Sequence, residues 1–243
     1  MKKIILLSLI LLVTTPLASL AQKQLYFGMA GTFTTTWITN QNIYGQPELN
    51  YKLTGGYCVN LNIGFDFNKH IGLKTEVGYA LLGQGYDGKQ YDTATTRKVR
   101  LKYLQIPLLF KYRTSGKTAQ FYILAGPQFN ILLSAKQDYK RGDVKPPVYH
   151  NPEIDKDIDV GAEDIKDRYN SLDIFARIDF GVDISIIENL FLNVGITAAY
   201  GLMDINDSDW QLKDNSGNYT PSHNIYGGIN FGLCYRFNTS KGR

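Results

Sequence analysis

Apolar and polar residues alternate along most of this chain, and the alternation is clearest at its end. From His223 to Phe237 the odd positions Ile225, Gly227, Ile229, Phe231, Leu233, Tyr235 and Phe237 are apolar or glycine, while the even ones include Asn224, Asn230 and Arg236. A period of two is the mark of an extended strand with one apolar and one polar face. The run is longer than the common soluble strand of about 5 or 6 residues, and longer than the roughly 9 to 11 that a tilted strand needs to cross a bilayer. Ile229, Phe231 and Leu233 are therefore expected to face lipid, and Asn230 and Gly232 an enclosed interior. Tyr235 and Phe237 are expected in a terminal aromatic girdle.

Seven earlier segments read the same way, at 24–37, 55–67, 71–84, 97–113, 119–134, 172–186 and 190–204. The second sets Tyr57, Val59, Leu61, Ile63, Phe65 and Phe67 against Cys58, Asn60, Asn62 and Asp66. The third sends Ile71, Leu73, Val77, Tyr79 and Leu81 outward and Lys74, Glu76 and Gln84 inward; the sixth sets Ile174, Ile178, Phe180, Val182 and Ile184 against Asp173, Arg177, Asp179 and Asp183. In the fourth the apolar parity slips, since Val99, Leu101 and Tyr103 precede Leu104, Ile106, Leu108, Phe110 and Tyr112. One extra residue at Tyr103-Leu104, a β-bulge, would keep both halves apolar-outward, and Pro107 nearby cannot donate to a ladder.

The connections alternate long and short: 38–53, 68–70, 85–96, 114–118, 135–171, 187–189 and 205–222. That pattern predicts an all-β, eight-stranded antiparallel up-and-down transmembrane barrel, with short periplasmic turns, long extracellular loops and both ends periplasmic. No later apolar run is long enough for a spanning helix, so insertion must use strands that close on themselves.

Composition adds an address. Met1-Lys2-Lys3, an apolar run from Ile4 to Val13 and Ser19-Leu20-Ala21 before Gln22 describe a cleaved export signal over 1–21, leaving 22–243 as one barrel domain in the outer membrane of a Gram-negative bacterium. Removing Lys2 and Lys3 takes the formal charge from +4 to near neutrality, which gives no case for nucleic acid. The two cysteines, Cys58 and Cys234, fall near opposite ends of the barrel and are expected as free, buried thiols.

Four stretches carry a family likeness: Tyr103-Leu-Gln-Ile-Pro-Leu-Leu-Phe-Lys-Tyr112, Leu124-Ala-Gly-Pro-Gln-Phe129, Ala199-Tyr-Gly-Leu202 and Gly232-Leu-Cys-Tyr-Arg-Phe237. In these the chain resembles the PorT family of small outer-membrane β-barrel proteins of Bacteroidota. The resemblance implies an eight-stranded barrel; one branch of the family is associated with type IX secretion, and there are no family catalytic residues to carry over.

Eight strands enclose an interior just wide enough for side chains. The inward positions include Lys74, Glu76, Arg100, Lys102, Lys111, Asp173, Arg177, Asp179, Asp183 and Arg236, and unpaired they would cost several kcal/mol each, so an interior ion-pair network is expected. Other signals are weak. Gly83-Gln-Gly85-Tyr-Asp-Gly88 has dinucleotide spacing but opens no helix. Asp155, Asp157 and Asp159 lack the glycine and terminal acid of a calcium loop. Ser222 and His223 are adjacent, hence on opposite faces of a strand. Pro146-Pro147, Tyr149, Tyr169 and Trp210 either form a binding surface or cover the barrel mouth. No metal, cofactor or catalytic residue is assigned. The expected partners are outer-membrane lipid and other envelope proteins, and the expected function is non-enzymatic interaction through the outer loops. The alternatives are a narrow pore for small solutes or ions and, below it, a lipid-modifying enzyme.

Overall fold

The computed structural model describes residues 24–42, 46–213 and 217–238; the export-signal reading of 1–21 lies outside them. Eight long strands carry the fold: β1 (Gln24–Ile38), β3 (Thr54–Asp66), β4 (Ile71–Gln90), β5 (Thr93–Arg113), β6 (Ala119–Arg141), β9 (Leu172–Ile187), β10 (Leu190–Gly201) and β11 (Asn224–Asn238). Each pairs antiparallel with its sequence neighbour among the eight, and β1 with β11 closes the ring. Short β2 (Asn50–Lys52) adds to the upper part of β4 beyond the end of β3, while β7 (Val148–Asn151) and β8 (Lys156–Asp159) make a separate hairpin. Among the described residues no helix is long and apolar enough to cross a membrane.

The predicted belt is on the outside. Phe33, Leu61, Val77, Leu108, Phe121, Ile196 and Ile229 all point away from the ring and are exposed, and aromatic clusters bound the belt at both ends. At the short-turn end, periplasmic by the rule for such barrels, Phe237 packs against Tyr235 and Phe27 at centroid distances of 5.0 and 5.7 Å. At the other end Tyr57 meets Tyr79 at 6.1 Å. Interior aromatics fit because glycines face them: the Tyr26 ring occupies the space a side chain on Gly64 would need, and Tyr122 does the same over Gly181 and Gly195.

Three features differ from the sequence reading. Residues 85–96 are not a loop, for β4 and β5 continue to a two-residue turn at Tyr91-Asp92, where φ is +50° and +58°. Positive φ at both positions is the type I′ geometry that suits strand twist, but it occurs here without a glycine. Second, β6 runs on to Arg141, so 135–141 is strand rather than loop. Third, the bulge is in β6, not β5: Lys102 pairs with Ser134 and Tyr103 with Leu132, leaving Leu133 as the extra residue. β5 itself keeps one parity, with Val99, Leu101, Tyr103, Gln105, Leu109, Lys111 and Arg113 all buried inside.

Candidate functional site

The reason for that constant parity lies in what surrounds the barrel at each height. Within the belt the outside is hydrocarbon and polar groups must go in. Above the belt the outside is water, and the ordinary preference returns. The lumen is accordingly built in two zones.

The lower zone holds charges. At mid-height Lys74 Nζ lies 2.7 Å from Glu76 Oε1, and Arg177 Nη1 reaches Glu76 Oε2 at 3.1 Å. The same guanidinium grips both oxygens of Asp179 through Nε and Nη2, at 2.9 and 2.8 Å. Asn60 donates to Glu76 at 2.9 Å and Thr197 to Asp179 at 2.5 Å. Two cations thus face two carboxylates with their remaining lone pairs engaged, the condition for tolerating buried charge. One layer nearer the periplasm, Lys111 Nζ lies 2.6 Å from Asp183, which also accepts from Asn193 at 2.7 Å. Its ammonium is 5.0, 5.6 and 5.8 Å from the ring centres of Tyr26, Tyr122 and Phe191, within cation–π range. Lowest of all, Arg113 Nη1 approaches Asp66 at 3.0 Å, close enough for an ion pair but without hydrogen-bond alignment.

The upper zone is largely apolar, with Gln84 a buried amide beside it. Leu82, Val99, Leu101, Tyr103, Leu132, Ala135, Phe175 and Tyr226 pack together, with Ile165, Tyr169 and Ile205 pressed down from the loops. Tyr169 and Trp210 are buried, so they cover the mouth rather than protrude. Beside this plug Ile158, Val160 and Trp210 form a second small core with Tyr139 and Tyr149. The Arg168 guanidinium lies 5.0 Å from the Trp210 ring centre and donates to the Asp159 carbonyl at 2.7 Å. Gln137 of β6 donates to the Val160 carbonyl at 2.9 Å, tying the 142–171 segment to the strand extensions.

Of the predicted interior charges, Lys74, Glu76, Lys111, Arg177, Asp179 and Asp183 meet in these layers. Asp173 points inward but stands apart from the ion pairs, accepting at 3.0 Å from Asn224, which also donates to the Tyr103 hydroxyl at 3.1 Å. Arg236 faces the periplasmic end of the lumen, its guanidinium 4.8 Å from the Phe191 ring centre. Two residues were misassigned: Arg100 and Lys102 face outward, and Arg100 pairs on that surface with Asp138. The assumption that Leu101 and Tyr103 must touch lipid turned both to the wrong side. Arg113 was missed, although its odd number, two beyond Lys111, places it inside. Cys58 and Cys234 are free and buried.

The family comparison agrees with this architecture. Residues 20–207 match the family described as outer membrane protein beta-barrel domain. The chain belongs to that family. As an outer membrane protein beta-barrel domain protein, it resides in the outer membrane, and its glycine-rich GxGxxG segment lies within β4, with Gly83 and Gly88 at positive φ. A search of curated proteins returned no match. Solved structures of similar shape include Neisserial surface protein A, with 13% identity, 88% of this chain and 97% of that one covered and a TM-score of 0.44. A major outer membrane protein from Thermus thermophilus has 13% identity, coverage of 88% and 99% and a TM-score of 0.45. OprG from Pseudomonas aeruginosa has 11% identity, coverage of 90% and 97% and a TM-score of 0.39.

Proposed function

We propose that this protein is a non-enzymatic outer-membrane barrel that works by binding other envelope proteins through its extracellular lobe. The observation that carries this reading is the filled lumen. Gln84, Leu101, Gln105, Leu109, Gln128, Asn130 and Phe175, spread from the lower to the upper zone, have no solvent exposure. The surface left for function is then the lobe made by the β4–β5–β6 extensions and the β7–β8 hairpin, where Tyr91, Val144 and Val148 are exposed. Tyr91, Val144, Pro147 and Tyr149 border an open groove of about 330 Å³. The likeness to PorT-family proteins of Bacteroidota makes type IX secretion components the first partners to seek. The enzyme alternative draws no support from Ser222 and His223: the serine bonds Asn206 and the Asn40 carbonyl, while the imidazole points away to stack on Tyr200 at 5.5 Å.

The test is photo-crosslinking in intact cells from a probe at Val148 or Tyr91, with a probe at Leu61 in the lipid belt as control. A defined envelope protein captured from the lobe positions but not from Leu61 supports the proposal. A deletion strain with unchanged secretion, together with no lobe-specific crosslink, contradicts it. The pore alternative rests on the charged lower zone and is tested separately by planar-bilayer recording, where conductance altered by Arg177→Ala or Asp179→Ala would favour it.

A further inference from the structure

The two misassigned cations raise a question of their own, because outward-facing positive charge sits directly on top of a lipid belt. On the outer surface of β5, Leu104 pairs with Tyr79, which joins Tyr57 in the upper aromatic cluster. Tyrosines at this level mark the membrane–water interface. The next outward residues of β5 are Lys102, Arg100 and Lys98, and their β6 neighbours across the ladder are Ser134, Lys136 and Asp138. The strip therefore begins one rung above the interface tyrosines, at the height of lipid headgroups.

Part of this charge is already engaged. Arg100 pairs with Asp138, and Lys136 Nζ lies 2.7 Å from Glu163. Lys98 and Lys102 have no ion pair among the described residues. On the other flank of β5, Arg100 faces Gly83 and Lys98 faces Gly85, so no β4 side chain covers them. Beside Lys98 this flank opens into a groove of about 420 Å³ lined also by Lys52, Leu53, Thr54, Arg97 and Asp138. Leu53 in its wall is 79% exposed. A site with cations beside an exposed leucine suits an amphiphile that carries an anionic head.

We propose that this strip and groove bind the phosphoryl headgroup of an outer-leaflet lipid, with Lys102 and Lys98 as the principal contacts and Arg100 and Lys136 beside them. The occupant follows from charge complementarity and from height, since the family places the barrel in the outer membrane and the strip starts with Lys102 one rung above the interface tyrosines. A basic side chain near an anionic lipid surface contributes about 1 kcal/mol, or about fivefold in affinity.

The experiment uses the full mature protein folded in detergent micelles and native mass spectrometry. The probes are bis-phosphorylated lipid A, the same lipid with its phosphates removed, and inorganic phosphate. The wild-type protein should retain the phosphorylated lipid at least tenfold better than the dephosphorylated one. Lys98→Gln with Lys102→Gln, a pair that breaks no described ion pair, should lower retention about 25-fold, whereas Lys69→Gln with Lys117→Gln at the periplasmic turns should leave it unchanged. Equal retention of both lipids overturns the proposal, and so does a folded Lys98/Lys102 double variant that holds lipid as well as wild type. Displacement of the lipid by millimolar inorganic phosphate would also overturn it, by reducing the strip to a free-phosphate site. Should the double variant fail to fold, Lys102→Gln alone carries the test at about fivefold.

Discussion

Replacing Arg177 by methionine keeps an unbranched apolar stem and removes the guanidinium from a cluster whose carboxylates, Glu76 and Asp179, are each about 1% exposed. Glu76 would retain Lys74 and Asn60, but Asp179 would keep Thr197 as its remaining described hydrogen-bond partner. The lumen layer would hold one uncompensated anion. Removing one partner of a buried ion pair costs about 3–5 kcal/mol, and the upper part of that range applies because one guanidinium serves two acids. Adding Asp179→Asn restores balance through Lys74 and Glu76, so the double variant should be more stable than the sum of the single losses by about 1–3 kcal/mol. The assay is reversible urea unfolding of the barrel in phospholipid vesicles, followed by tryptophan fluorescence and by the heat-dependent gel mobility of folded barrels. A loss below about 1 kcal/mol for Arg177→Met, or effects of the two substitutions that add within about 0.5 kcal/mol, would refute the idea that these charges are held as one neutral unit.

Further consequences can be checked on the lobe. Ile158→Ala opens the small core around Trp210 and should destabilise the β7–β8 hairpin by about 2–4 kcal/mol, seen as faster proteolysis within 142–171 with barrel unfolding unchanged. Replacing Tyr91-Asp92 by Asn-Gly matches the two positive φ values and should stabilise the hairpin tip by about 1 kcal/mol, read by amide hydrogen exchange. The Arg100 guanidinium beside Asp138 holds that carboxyl below the usual carboxylate range. Its folded value is depressed, so the pair's stabilisation is present above the unfolded value near pH 3.9 and is lost as pH falls through the folded one. An NMR titration should show the Asp138 midpoint rising in Arg100→Gln.

Much of the barrel is legible in the alternation, because hydrocarbon outside and a narrow lumen inside impose opposite chemistry on neighbouring residues. Leu61 and Asn62, or Ile178 and Asp179, leave no ambiguity about which way each points. The reading fails where the strands leave the membrane. Leu101 is apolar and inward, Lys102 polar and outward, so an assumption that apolar means lipid-facing demands a bulge in β5 that is not there. The bulge at Leu133 escaped notice because Leu132 and Leu133 are alike, and apolar residues suit both the plug and the belt. Tyr91-Asp92 carries no glycine to announce a turn. The ion-pair layers were visible as a list of inward charges, but their partition was not, since a lumen contact joins residues from opposite strands: Glu76 and Arg177 are 101 positions apart.

The account rests on one parity running through β5 while the surroundings change from hydrocarbon to water. A nitroxide walked singly from position 96 to 112 in vesicle-embedded protein, with oxygen and a nickel chelate as collision partners, reads both quantities at once. The outward positions 104, 106, 108 and 110 should be rich in oxygen collisions and 96, 98, 100 and 102 rich in nickel collisions, with 99, 101, 103 and 105 shielded from both. Oxygen-rich values at 99 and 101, with 100 and 102 shielded, would contradict the account.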